Sequence, residues 1–431
     1  MFLKLAMIGA NHRLVSFLFL VLVSYVSFLG LPKLRVDTSF SSLISDTEPD
    51  TPLYDRIARE FGSDNRTIIY VRDKGLWSKD KLVALENLHY ALEKLDFVER
   101  VDDLFNLRSI RGAGGQIESR IFLAEAPKDQ ATIDKARDDA LYNPLIVDNF
   151  ISRDGTVTAL LLSMREDYGD DKYEGEINEV LERVLTPARS VFEEVFQVGP
   201  PRISAELKAV LFHDLIYLGP LSAFVLVVAV LFFLRSWFAA MVPLVTSALS
   251  IAWTFGMMGW AGIPLNILSA MLPSLVVVIG STEDTHMISS YLRGVSQAEE
   301  RHRAFATRFM MKHMGLPLFL TVLTTVMGFA TNIFSNIGLI QNFAIASTVA
   351  MLANGIITIL FVPMALSIIG PRSTGLFSDK KRVKGMPGLF VRIFGFANSR
   401  FPRSVLVVTA ILCVFFVYHA SKLYVTNDPL T

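Results

Sequence analysis

Cysteine is almost absent from this chain: of 431 residues only Cys413 is one, and it lies in an apolar run. No intrachain disulfide and no thiolate-built metal site can form, so the redox compartment leaves no trace. Also missing are a G-x-x-x-x-G-K-[ST] phosphate loop and any H-E-x-x-H spacing, which excludes ATP bound to this chain as an energy source and a metal site of that pattern. Net charge is missing too, because 41 Lys and Arg balance 41 Asp and Glu. The charges are nevertheless segregated, with 34 of the 41 acids between Lys33 and Lys208. That segment carries more acids than bases, so nucleic acid is not an expected partner. The first apolar run follows Lys4 and Arg13 but ends in "SFLGLPKL" without an A-x-A-like cleavage site, so it reads as a retained anchor and not a signal peptide.

What the chain has in abundance is apolar length. Hydrophobic residues make up 52% of it and mean hydropathy is +0.44, which places it among polytopic membrane proteins. Seven stretches, near 14–31, 212–234, 238–260, 265–291, 316–336, 340–369 and 404–421, have the length to span a core of about 30 Å. Sixteen Lys and Arg fall in the N-terminus and alternate loops, against none in the turns 261–264 and 337–339. By the positive-inside rule the N-terminus is cytoplasmic and residues 33–208 lie on the opposite side, with the C-terminus. The expected organisation is therefore a cytoplasmic N-terminus and first helix (1–32), a hydrated α/β domain (33–208), a five-helix bundle (209–370), a basic cytoplasmic linker (371–403) and a seventh helix (404–431).

Within the hydrated domain, "RTIIYV" (66–71) reads as a buried strand. Residues 78–95 read as a helix with Leu82, Leu85, Leu88 and Leu92 on one face and Ser78 as N-cap. "FVERVDDLF" (97–105) is a second strand. A more irregular region precedes a third at 155–164, a helix at 173–195 and a fourth strand, "FQVGPPRIS" (196–204), that leads into the membrane. Strand, helix, strand, repeated once, is the split βαβ order of an α+β ferredoxin-like fold.

The residues most able to carry chemistry are Glu283 and Asp284, adjacent acids inside "LPSLVVVIGSTEDTHMISSYL" (272–292). A carboxylate at the bilayer centre costs roughly 2.5 to 3.5 kcal/mol even on insertion scales, so such acids commonly serve protons or ions. From Glu283 to Arg293 is ten residues, about 15 Å, which puts the pair near mid-bilayer. Counted from Leu265 the helix is long for the membrane, so a tilt or a kink at Pro273 is expected. His286 follows Glu283 by three residues, on its face. Two acids this close disfavour simultaneous ionisation, the behaviour a proton relay uses. The competing reading is a pair in a wetter half of the bundle that only accepts hydrogen bonds from packed helices.

Thr321, Thr324, Thr325 and Asn332 in the fifth helix, with Asn342 and Asn354 in the sixth, are candidates to line the same seam or to glue helices together. Gly280, Gly328 and Gly355 suit close helix approach. The basic stretch 293–314, with Arg301, Arg308 and Lys312 on one face, reads either as an interfacial helix or as a plain positive loop.

The two ends repeat each other. Arg13 precedes a run closing in "PKLRVDTSF" and Arg403 one closing in "SKLYVTNDP", at nearly the same distance. This layout resembles the RND superfamily, and within it the MMPL and sterol-sensing-domain (SSD) branch of bacterial exporters. "IGSTEDTHMISSYLRG" (279–294), "NPLIVDNFISRDGTVTALLL" (143–162) and "VGPPRISAEL" (198–207) carry the match. The resemblance implies half of a proton-coupled exporter of hydrophobic or amphipathic, lipid-like molecules in a bacterial inner membrane. Glu283, Asp284 and His286 would be its relay, Thr324, Thr325 and Asn332 their support, and 33–208 a periplasmic porter domain. It implies no cofactor beyond the proton gradient, membrane lipids as neighbours, and a second half, fused, separate or a second copy. In the full family a tenth helix supplies partners for these acids, and this chain does not contain it. The first acid is Glu where many relatives carry Gly-x-Asp-Tyr, which leaves open which carboxylate titrates. A lipid- or sterol-sensing scaffold and an accessory subunit of protein translocation are the rival readings.

Overall fold

The computed structural model describes residues 7–38, 66–113, 116–165, 171–234, 237–297, 303–371 and 399–423, with residues 53, 56, 60, 395 and 396. Most of the basic linker, Arg301 and the end of the second repeat lie outside the described residues.

After α1 (Arg13–Gly30) the chain builds an α/β unit. It runs through β1 (Arg66–Arg72), α2 (Lys79–Glu93), β2 (Val98–Asp102), a hairpin of β3 (Arg108–Ala113) and β4 (Gln116–Ile121), α3 (Gln130–Tyr142), β5 (Val157–Met164), α4 (Asp171–Val191) and β6 (Glu194–Val198). Four strands form one antiparallel sheet in the order β2-β5-β1-β6, with Ile69 opposite Leu160 on one side and Gln197 on the other. Each helix crossover is thus split by a strand of the other. One face is buried, which is why β1 alternates: Ile69 and Val71 share a core with Leu82, Leu85 and Leu92 of α2 and Leu181 and Leu185 of α4.

Three details depart from the sequence reading. The region between β2 and β5 holds a separate hairpin and a helix; "RSIRGAGGQIESRI" offers no apolar alternation, and α3 buries only Ile133, Ala136 and Ala140. Ser78 occupies the N-cap position of α2, yet its side chain makes no capping bond. The last strand stops at Val198, because Gly199 turns the chain where a Cβ would sit 2.8 Å from Thr67 Oγ1, and two prolines then start a helix.

The remaining helices are α5 (Pro200–Leu234), α6 (Trp237–Ala261), α7 (Leu272–Gln297), α8 (Arg303–Ala330), α9 (Gly338–Ile369) and α10 (Pro402–Ala420). Among the described residues six helices are long and apolar enough to cross a bilayer: α1, α5, α6, α8, α9 and α10. The seventh expected span is α7, whose acids and hydroxyls lower its hydropathy. Its 26 residues still extend about 39 Å, and it packs against α5, α6, α8 and α9.

Helix α7 begins at Leu272, not at Leu265. Residues 265–271 form a bend closed by a 3-10 turn, with buried Asn266 accepting from Ser269 N at 3.0 Å and donating to Leu339 O at 3.3 Å. Pro273 therefore sits in the first helical turn, where proline is tolerated, and no kink is needed. The basic stretch after Arg293 splits between the end of α7 and the start of α8, so Arg308 and Lys312 ride on a helix that continues to Ala330. Arg303 closes this end of the bundle by donating from Nε to Gly370 O at 2.7 Å and from Nη1 to Ile368 O.

Helix α1 lies against α6 so closely that Cβ atoms at Gly30 or Gly256 would collide with backbone. The segment after it pairs with the bend before α7: Leu265 N donates to Arg35 O at 2.7 Å and Asp37 N to Leu265 O at 2.9 Å. Helix α10 buries no residue against the rest of the chain.

A candidate proton-binding site

Glu283 and Asp284 stand near the middle of α7, about 16 Å along the helix from Leu272 and about 21 Å from Gln297. Glu283 is 7% exposed and Asp284 fully buried. The pair is enclosed by this chain's own helices. Asp284 takes the hydroxyl of Thr358 on Oδ1 at 2.9 Å and that of Thr246 on Oδ2. Glu283 Oε2 accepts from Asn354 Nδ2 at 3.2 Å, and Asn354 Oδ1 lies 3.2 Å from the Ser250 hydroxyl.

The local logic is helical spacing. Thr246 and Ser250 are four apart on α6, as are Asn354 and Thr358 on α9, so each helix presents two polar groups on one face. Gly280, one turn before Asp284, makes room: a Cβ there would lie 2.5 Å from Asn354 Oδ1.

Among the described residues no Lys, Arg or His pairs with either acid, and hydroxyls and one amide supply the hydrogen bonds given above. Each of these hydroxyls on α6 has one hydrogen and more than one acceptor in reach. Thr246 can donate to Asp284, to Val242 O at 3.2 Å or to Pro243 O at 3.0 Å. Ser250 can donate to Asn354 or to Thr246 O at 2.7 Å. An ionised Asp284 only accepts, whereas a protonated one donates, and the surplus backbone acceptors let the threonine turn away when that happens. Such a site can take up a proton and release it by exchanging hydrogen-bond partners. Among the described residues no three His, Cys, Asp or Glu come together as a metal would require.

Of the other residues singled out in the sequence, Asn354 joins the acids by donating to Glu283, whereas His286, Thr324, Thr325 and Asn332 do not. His286 is exposed and lines a groove of about 250 Å³ with Ser281, Thr282 and Thr285 against Leu226, Ala229 and Val230 of α5. Three residues along a helix separate the two directions by about 60°, enough at the edge of the buried stripe to leave the carboxylate inside and the imidazole outside. Thr324 donates to Leu320 O at 2.9 Å, Thr325 to Thr321 O at 2.8 Å, and Asn332 is exposed near Gly328 O. Thr246, Ser250 and Thr358 went unrecognised. Their signal was present as Thr246, Ser250 and Thr254 at four-residue spacing in an apolar helix, and as the pair Asn354 and Thr358.

Fold and site together define a polytopic helical membrane protein with a carboxylate pair buried among its helices. Residues 45–409 match the MMPL family, and the chain belongs to that family. A protein of Methanocaldococcus jannaschii, whose name describes it only as a membrane protein, is 20% identical over 399 residues, covering 89% of this chain and 96% of that protein. The apo-petrobactin exporter of Bacillus anthracis is 26% identical over 235 residues, 49% of this chain but only 31% of the exporter.

Proposed function

We propose that the chain is a proton-coupled transporter of hydrophobic or amphipathic, lipid-like molecules in a bacterial inner membrane, with Glu283 and Asp284 as the proton carriers. The observation that carries this reading is the setting of the pair: two buried carboxylates on α7, held by donors from α6 and α9 and uncompensated by a cation among the described residues. Leaving both charges in place there costs several kcal/mol per ion, and a proton removes that cost. Membership of the MMPL family and the exporter named among the relatives support transport of such substances.

In this reading residues 33–208 form the periplasmic porter domain, supported as ferredoxin-like by its β2-β5-β1-β6 order. Protonation shifts α7 against α6 and α9. The shift reaches the domain through α5, which packs on α7 and runs straight out of β6, and through the bridge between Leu265 and residues 35–37. A second half, whether fused, a separate chain or a second copy of this chain, completes the machine.

The test is transport of a hydrophobic fluorescent dye by the full chain in proteoliposomes under an imposed proton gradient. Asp284→Asn and Glu283→Gln are expected to lower gradient-driven dye movement to the protein-free level while thermal unfolding stays cooperative. Unchanged movement in the double variant would overturn the proton role. Dye binding without movement in the parent chain would point to a lipid sensor instead.

A further inference from the structure

A second cavity lies toward the C-terminal end of α9, beyond Asn354 and Thr358. It is a groove of about 490 Å³ between the start of α1 and the end of α9, walled by Leu14, Phe17, Phe361, Met364 and Ile368, with Arg13 at its mouth. Leu14 is 70% exposed, Phe17 53% and Ile368 47%, so the two helices leave these side chains uncovered although both helices are otherwise in contact. Close contacts fix the inner end of the gap. On one side Gly9, in the short helix Ile8–Asn11, is pressed onto the backbone of Leu360. On the other, Leu20 packs in a shared cluster with Ile357 and Trp253.

Arg13 begins an α1 of 18 residues, about 27 Å long, so its guanidinium stands at the membrane boundary, where lipid phosphates lie. Its Nε donates to Ala10 O at 3.2 Å, and no carboxylate among the described residues pairs with it. A second guanidinium, Arg303, donates to the carbonyls of Ile368 and Gly370 at the end of the same α9. Among the described residues the groove therefore has one cation, Arg13, beside its apolar slot, while Arg303 is engaged by backbone carbonyls and is not part of the wall. That combination matches one molecule: an acyl chain tied to an anionic phosphate, which a guanidinium grips through two parallel hydrogen bonds.

We propose that this groove is a binding site for a single acidic phospholipid, its headgroup on Arg13 and one acyl chain between α1 and α9. The bound chain wedges α9 one to two turns from Thr358, so its occupancy steadies the helix that holds Asp284. The lipid site stands whether or not the acids carry protons.

The experiment is native mass spectrometry of the full chain in detergent, titrated with phosphatidylglycerol or with phosphatidylcholine. One phosphatidylglycerol adduct should survive activation that strips phosphatidylcholine. Arg13→Gln, at an exposed position, should weaken that adduct about tenfold, the effect of losing roughly 1.4 kcal/mol. Ile368→Trp fills the slot with Arg13 intact and should weaken it comparably. Arg403→Gln, at the start of the unpacked α10, serves as the control and should leave it unchanged. Equal retention of both lipids, an adduct indifferent to Arg13→Gln, or the same loss in Arg403→Gln would each overturn the site in favour of bulk charge attraction.

Discussion

Gly280 and Asn354 show how little space the acid pair has. A Cβ at Gly280 would lie 2.5 Å from Asn354 Oδ1, so Gly280→Ala must push the amide aside and break its bond to Glu283. Overpacking of this kind costs about 1–3 kcal/mol. In an Asn354→Ala background the obstacle is gone, and the same substitution should cost far less. Thermal unfolding of the four proteins in the cycle measures that coupling, expected at about 0.5–3 kcal/mol. Equal penalties in both backgrounds would show that the glycine protects something else. Thr358 offers a second residue-level test, since its hydroxyl is the donor to Asp284 Oδ1. Thr358→Val keeps the shape and removes the donor, at about 1–3 kcal/mol for an unsatisfied buried acceptor. Thr358→Ser restores it. Dye transport should fall in the valine variant and be retained in the serine variant; equal activities would remove Thr358 from the site.

At the level of elements, α2 is fastened to the turn after β2 by a buried pair. His89 Nδ1 lies 2.8 Å from Asp103 Oδ2, and Asp103 Oδ1 accepts from Phe105 N at 2.9 Å. The bond to Asp103 raises the His89 pKa above its ordinary 6.5; burial opposes the rise, and the charges of Asp103, Glu93 and Glu86 assist it. A folded value above the unfolded one means that the protonated pair adds stability in full below pH 6.5 and loses it as pH rises through the folded value. Hydrogen-exchange protection of α2 amides, corrected for intrinsic rates, should therefore fall as pH climbs past that range, and His89→Gln should flatten the profile. A wild-type profile already flat would remove the pair as an anchor.

Elements like α2, β1 and β5 were legible because their apolar residues repeat at 3.6 or 2 positions over a buried face. The β3–β4 hairpin and α3 were not, since they bury few large side chains and their polar sequence carries no period. The long apolar runs gave the membrane helices but not their ends. The first residues of the 265–291 run bend through Asn266 and Ser269, and that turn depends on a carbonyl of Leu339 far along the chain. The acids were legible as costly charges in an apolar run. Their partners were less so, because a lone threonine in a membrane helix is ambiguous until two helices bring their faces together.

For the molecule as a whole, burial is uneven. The acid-bearing α7 and the flanking α6 and α9 form the centre, while α5 and α8 present most of their apolar surface outward. Helix α10, which repeats the Arg-to-Lys-Leu spacing of α1, buries no residue against the described residues, whereas α1 is locked to α6 through glycines. Lipid tails cover an apolar helix without hydrophobic cost, so exposure alone does not drive association; close packing and hydrogen bonds do. The acids, in turn, find their hydrogen bonds within one chain, so a second bundle is not needed to bury them. Its role in the proposed cycle is mechanical: something for the moving helices to rock against. The resulting prediction is a two-chain particle in mild detergent, measured by light scattering, with mild oxidation in membranes joining chains through the exposed Cys413 of α10. Cys413→Ala should abolish the crosslink and leave the mass unchanged. A monomeric mass with full dye transport would sink the two-half reading and leave the six-helix bundle, with its self-contained acid pair, as the working unit.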